Sequence, residues 1–388
     1  MAKVTGSLPR RITFWAHLVC GVVAGILILL MSATGVLLTY ERQVTEHAAR
    51  RNNVSAPAGT TTLSADALAQ KALELNPAAA RGTLVFKPDP SAPVRLSLGR
   101  EGTKLLNPYT GALIDDASEG TRAFFEQIEQ WHRWLGSDPD SVGTQLMNAA
   151  NLLFLFIVVS GIYLWLPAAW KWPALRARLL FSSRYVNGKM RDYCWHHVFS
   201  FWVLIPLFIV VSSGVVISLS YPWASRLVYA AYGETPPQRG GPGPGAADVA
   251  LQTPPDTGMR ASRDALLHVA KAQVPEWQSL SLPLDTQAST VRIAAELPWT
   301  APRALRRTVT VNAMDASVLD VSAPQGIGAP GTSPGQRARM WFRFAHTGEQ
   351  YGFIGQTIAG IASLAACFLV YTGIALAYRR LIVPLYRR

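Results

Sequence analysis

The sequence predicts an α-helical membrane protein: a four-transmembrane-helix bundle with two external α+β domains, built by internal duplication. Three observations carry this. Four runs of 20 or more mostly apolar residues interrupt a chain in which only 15% of residues are charged. Lys and Arg gather in three short pieces beside those runs. The plan of span, external segment and second span occurs twice.

The spans are placed at 12–40, 141–167, 193–222 and 351–378. About 20 helical residues cross a hydrocarbon core of ~30 Å, and buried helices of soluble proteins seldom run so long without charge. The first run exceeds the ~7–15 apolar residues of a secretory leader. It is read as a retained helix.

Charge sets the orientation. The N-terminus (Lys3, Arg10, Arg11), the loop 168–192 and the tail 379–388 together hold thirteen basic residues and one acid, Asp192. Their net charge equals the +12 of the whole chain. The positive-inside rule puts all three pieces in the cytoplasm, so the basic balance reports topology rather than a nucleic-acid partner. No basic face on a soluble module is visible. Cys20, Cys194 and Cys367 lie in or beside spans, so no external disulfide is expected.

The external segments are 41–140 and 223–350, the second with a Gly/Pro-rich linker at 235–255. A helical stretch at 65–75 precedes strand-like runs at 82–87 and 94–98, then NPYTGALID at 107–115. A helix at 262–273, strands at 290–295 and 307–311, and NAMDASVLDV at 312–321 repeat the order. The spans repeat as well. His17 stands 18 residues before Gly35 of a Thr34-Gly35 step, and His196 stands 18 before Gly214 of Ser213-Gly214. That register prefers His196 to its neighbour His197.

His47 and His268 lie away from the spans. The other five histidines gather at membrane boundaries, His17, His196 and His197 at the cytoplasmic ends, His132 and His346 at the external ends. A lone interfacial His is usually a hydrogen-bonded ring. Here two helices offer one at matched depth on each side of the membrane. Pairs of that kind (His17 with His196, His132 with His346) suit the two axial positions of a haem iron, and an ionisable group in a span points to function. Zinc is the weaker reading, because neither pair has a third or fourth ligand.

Taken together, these features resemble the PepSY-associated transmembrane family of iron-regulated membrane proteins, which includes bacterial inner-membrane ferric-siderophore reductases. The likeness rests on His132-Arg133-Trp134-Leu135-Gly136, on His346-Thr347-Gly348-Glu349 with Gly352 and Gly355-Gln356, and on His196 with Trp202. The two Ser/Thr-Gly steps and the two external segments, each like a PepSY module, add to it. The family's His-Arg-x-x-Gly pattern is broken at His17-Leu18, where Gly21 is kept, and at His196-His197, where Ser200 replaces the glycine.

The resemblance implies b-type haem, two if both pairs are used, and electron transfer to a ferric siderophore in the periplasm. His17, His132, His196 and His346 would be the iron ligands, with His197 as the alternative to His196. Trp131, Arg133, Glu349 and Tyr351 would line a docking cleft for the chelate beside the outer pair. No nucleotide or flavin motif occurs in the cytoplasmic pieces, so a flavin, flavoprotein or quinol would supply electrons, with lipid around the spans. Two other functions stay open. One is a non-enzymatic scaffold that binds or inhibits a partner through its external modules. The other is a siderophore or iron transporter, for which a broken span or buried carboxylate is the expected mark. None is evident in the four runs.

Overall fold

The computed structural model describes residues 7–99, 102–167, 170–218, 222–236, 260–285, 288–298, 304–327 and 329–386. The Gly/Pro-rich linker read at 235–255 lies outside them from residue 237 onward. From the N-terminus, α1 (Leu8–Leu38) leads through α2 (Glu41–Ala49) and α3 (Ala65–Leu75) to strands β1 (Thr83–Phe86), β2 (Val94–Ser97), β3 (Thr103–Leu106) and β4 (Leu113–Ile114). Next come α4 (Glu119–Trp134), α5 (Val142–Trp165), α6 (Trp172–Leu179), α7 (Gly188–Trp202), α8 (Leu204–Ile217) and α9 (Pro222–Ala230). Helix α10 (Arg263–Gln273) precedes β5 (Ser279–Pro283), β6 (Thr290–Glu296), β7 (Ala304–Asn312), β8 (Val318–Val321) and β9 (Gln325–Ile327). Two helices follow, α11 (Pro334–Thr347) and α12 (Gly352–Leu381).

These elements form two compact units. The helical unit comprises Met1–Glu41, Ala123–Pro236 and Pro334–Arg388, and the sheet unit comprises Arg42–Arg122 and Pro237–Ser333. The boundaries fall inside the external segments drawn from sequence at 41–140 and 223–350. Most of α4, with α9 and α11, belongs to the helical unit; α11 packs on α8 and α9.

In the helical unit, α1, α5 and α12 are each long and apolar enough to cross a membrane. Their interface is built from small residues. Ala24 on α1, Ala150 on α5 and Ala362, Ala365 and Ala366 on α12 are buried with Ile28, Phe154, Leu207 and Val211. Small side chains let apolar helices approach closely, and that close contact is what drives association inside a bilayer. Arg10 donates from Nη2 to the Leu164 and Leu166 carbonyls, both at 2.9 Å. It thereby satisfies acceptors that the end of α5 leaves without helical partners.

The third apolar run is not one straight helix. Helices α7 and α8 meet at a 72° bend. Pro206 explains the break: it lacks an N–H, and its ring clashes with the carbonyl four residues back, at Trp202. Nearby Asp192 is fully buried, paired with Arg191 at 2.9 Å and with Arg379 of α12. The bend is a correction, since no broken span is expected from the sequence; Asp192 lies just before the third span as placed there.

The sheet unit also departs from expectation. Instead of two separate modules, the described residues hold one nine-stranded sheet, ordered β4-β3-β2-β1-β5-β6-β7-β8, with β9 on β7. The join is antiparallel β1–β5, registered from Thr83↔Pro283 to Phe86↔Leu280. Alternate strand residues (Leu84, Leu96, Leu282, Ile293, Val309) point inward, as a pleat of period two requires. The halves still mirror one another. Ser64 and Ser262 cap α3 and α10. Each helix also offers an Asp to the other's start: Ala65 N–H donates to Asp264 at 2.8 Å, and Asp264 N–H to Asp66 at 3.4 Å. The two motif turns match too, with Asn107 accepting from Tyr109 N–H at 2.8 Å and Asn312 from Met314 N–H at 2.9 Å.

Candidate functional site

Four histidines of the helical unit each sit against a hydroxyl from another helix. His17 on α1 meets Ser160 of α5, Nδ1 to Oγ 2.9 Å. His132, in the last turn of α4, meets Thr34 of α1 at 3.0 Å. His196 on α7 meets Thr372 of α12 at 2.9 Å. His346, in the last turn of α11, meets Ser213 of α8 at 3.2 Å and the Val210 carbonyl at 2.8 Å. A glycine follows the hydroxyl residue every time. A Cβ on Gly161, Gly35 or Gly373 would lie 3.5 Å from Cε1 of His17, His132 or His196, and one on Gly214 would lie 3.2 Å from that of His346. Glycine thus leaves room for the imidazole to rest on the neighbouring backbone.

The hydroxyl protons are already committed within their own helices. Thr34 donates to the Leu30 carbonyl at 2.7 Å, Ser160 to Ile157 at 3.1 Å, Ser213 to Val210 at 2.8 Å and Thr372 to Phe368 at 2.8 Å. The hydroxyl oxygens are therefore acceptors, and each histidine donates from Nδ1–H. That tautomer leaves the Nε2 lone pair available. Metal-ligating imidazoles are held in just this way, one nitrogen fixed by an outer partner and the other turned to the metal.

The rings of His132 and His346 lie with centroids 6.2 Å apart and planes tilted by 56°. Two imidazoles ligating one metal, each with a nitrogen–metal bond of ~2.0 Å and ~1.1 Å more to the ring centre, stand ~6.2 Å apart. Burial first, then the neighbouring His346, push the His132 pKa down to about 4, and burial lowers that of His346. Both shifts favour the neutral form, which is the form a metal ligand takes. His17 lies close enough to His196 for direct electrostatic interaction.

The His132–His346 pair borders a small cavity of about 90 Å³, walled by Gly35, Thr39, Phe154, Val211 and Ala359 among others. Among mostly small or apolar walls, two imidazoles with Nδ1 held and Nε2 free are a donor set whose chemistry suits a haem. Among the described residues, no three His, Cys, Asp or Glu side chains gather as a metal site, so zinc finds no third protein ligand.

His197 is anchored differently. Its Nδ1 donates to the Tyr193 carbonyl of its own helix at 2.9 Å, and its ring lies 4.1 Å from that of Tyr193. No Ser/Thr-Gly step holds it, so the geometry favours His196 as the counterpart of His17. Of the cleft residues, Arg133 is engaged by Glu129 at 2.6 Å and lies over Trp134. Glu349 accepts from Thr347, while Trp131 and Tyr351 are exposed. Ser160-Gly161 on α5 and Thr372-Gly373 on α12, absent from the sequence expectation, carry the same dipeptide signal as Thr34-Gly35 and Ser213-Gly214.

Fold and site together define a membrane protein that fixes paired histidines between apolar helices. The chain matches the family described as PepSY-associated TM region over residues 14–380, and it belongs to that family. Comparison with curated proteins finds no match.

Proposed function

We propose that this protein is a haem-bearing oxidoreductase of the bacterial inner membrane, passing electrons outward to reduce a ferric siderophore in the periplasm. In this reading α1, α5, the bent α7–α8 pair and α12 are four spans with both termini cytoplasmic. His17 and His196 hold an inner b-type haem, and His132 and His346 an outer one. The observation that carries it is the fourfold Ser/Thr-Gly clamp, which aims four Nε2 lone pairs and sets two of the rings 6.2 Å apart.

Haem, when bound, supplies a one-electron couple. The protein's part is to fix the imidazoles, exclude water with apolar walls and space the sites. His17 and Thr34, the anchor of His132, are 17 residues apart on α1, an axial distance of ~25 Å. Reduction of one Fe(III) in the chelate takes one electron from a flavin, flavoprotein or quinol, and the weaker hold on Fe(II) releases the metal.

Proteoliposomes carrying dithionite inside, with ferric siderophore and an Fe(II)-specific chelator outside, test this. The reading requires external Fe(II) that disappears in a His132→Ala variant. Haem-replete vesicles that form none would contradict it.

The bend at Val203 and the buried Asp192 favour one second reading, transport of the chelate or its iron. Asp192, though, is neutralised by two arginines rather than open to a cation. Uptake of labelled iron by the same vesicles without reductant would support transport.

A further inference from the structure

The glycines that seat His132 and His346 have a second polar side chain beside them, which those that seat His17 and His196 lack. A Cβ on Gly214 would meet Asn151 Nδ2 at 2.9 Å as well as His346 Cε1 at 3.2 Å. A Cβ on Gly35 would meet Ser363 Oγ and His132 Cε1, both at 3.5 Å. At the inner sites, only His17 lies within 4 Å of such an atom on Gly161, and only His196 within 4 Å on Gly373. Asn151 and Ser363 are counterparts in the duplication, each nine residues before the hydroxyl that anchors an inner histidine, Ser160 or Thr372. Both line the outer cavity. Asn151 is only 9% exposed, and among the described residues neither side chain has a hydrogen-bond partner. The Asn151 amide borders the cavity, where an occupant would meet it.

We propose that Asn151 and Ser363 are positioning residues that raise the reduction potential of the outer site above that of the inner one. This rests on the haem reading given above. The positive end of the Asn151 amide dipole stands beside one axial ligand, and the Ser363 hydroxyl stands beside the other. Donors near an axial ligand or macrocycle favour the state carrying one more electron. At the equivalent inner points, Gly161 and Gly373, nothing but the histidine itself lies within 4 Å of an added Cβ, so the inner pair lacks that bias. Electron flow from inner to outer site is then downhill, with direction built into two side chains.

Spectroelectrochemical titration of the purified full-length protein tests this, on wild type, Asn151→Leu, Ser363→Ala and the double variant. A His17→Ala background, which lacks the inner haem, identifies the outer midpoint. The expected result is two midpoints in wild type with the outer one higher. That midpoint falls in each single variant and further in the double, while the inner one and the haem content stay unchanged. Asn151→Ser, which copies the partner position, should recover part of the loss. Equal midpoints in wild type, or a double variant in which both stay put or shift together, would overturn the inference. Wild-type protein without haem would overturn the haem reading itself, and this inference with it.

Discussion

Thr372 accepts the Nδ1 proton of His196 across the interface of α12 and α7, at 2.9 Å, after giving its own proton to Phe368. Thr372→Val keeps the shape and removes the acceptor, so the ring loses its fixed tautomer and orientation. Haem affinity of the inner site should fall roughly 10–100-fold, as for other outer partners of metal ligands, and Thr372→Ser should restore it. Titration of the apoprotein with haem measures both.

His196 and His197 are adjacent in sequence but anchored on different helices. His196→Ala should remove the inner haem signal, and His197→Ala should leave it. The reverse outcome would transfer the ligand role to His197.

The four clamp glycines differ in how much room they leave. A methyl on Gly214 would press on Asn151 at 2.9 Å and His346 at 3.2 Å, whereas one on Gly161 meets only His17, at 3.5 Å. Gly214→Ala should lower occupancy of the outer site several-fold, and Gly161→Ala should be close to neutral. Haem content per protein distinguishes them.

The sheet unit has an acid-sensitive latch at Asp116. Burial raises its pKa, but bonds from Ser118, Arg122 and Asn52 outweigh that and hold it at about 2, against 3.8 for the free group. Its folded pKa is depressed, so its contribution is complete above pH 3.8 and is lost as pH falls towards 2. The loss is about 1 kcal/mol once solvent screening is allowed for. Hydrogen exchange at β1–β3 should accelerate over that window, and Asp116→Asn should flatten the pH dependence.

Much of this was legible from local pattern. Hydrophobic runs mark α1, α5 and α12, and the equal spacing of His17 to Gly35 and His196 to Gly214 pairs two of the Ser/Thr-Gly steps before any contact is known. The bend was legible in principle, because Pro206 lies deep in the third run, but hydropathy averages over a proline. The β1–β5 join was not. Thr83 and Pro283 are partners across 200 residues, and nothing within either strand names the other. The polar, amphipathic sequences of α4 and α11 read as external, yet their packing places most of α4 and all of α11 in the helical unit. Asn151 and Ser363 carry no signal until Gly214 and Gly35 bring histidines beside them.

The most direct test of the central claim is the optical spectrum of the detergent-purified protein before and after dithionite, with haem counted per chain. The expected result is a sharp reduced α-band of a bis-histidine b-type haem and two haems per chain. His132→Ala and His346→Ala should each remove the same one. A featureless spectrum from folded, haem-supplied protein, or full haem content in both variants, would contradict it.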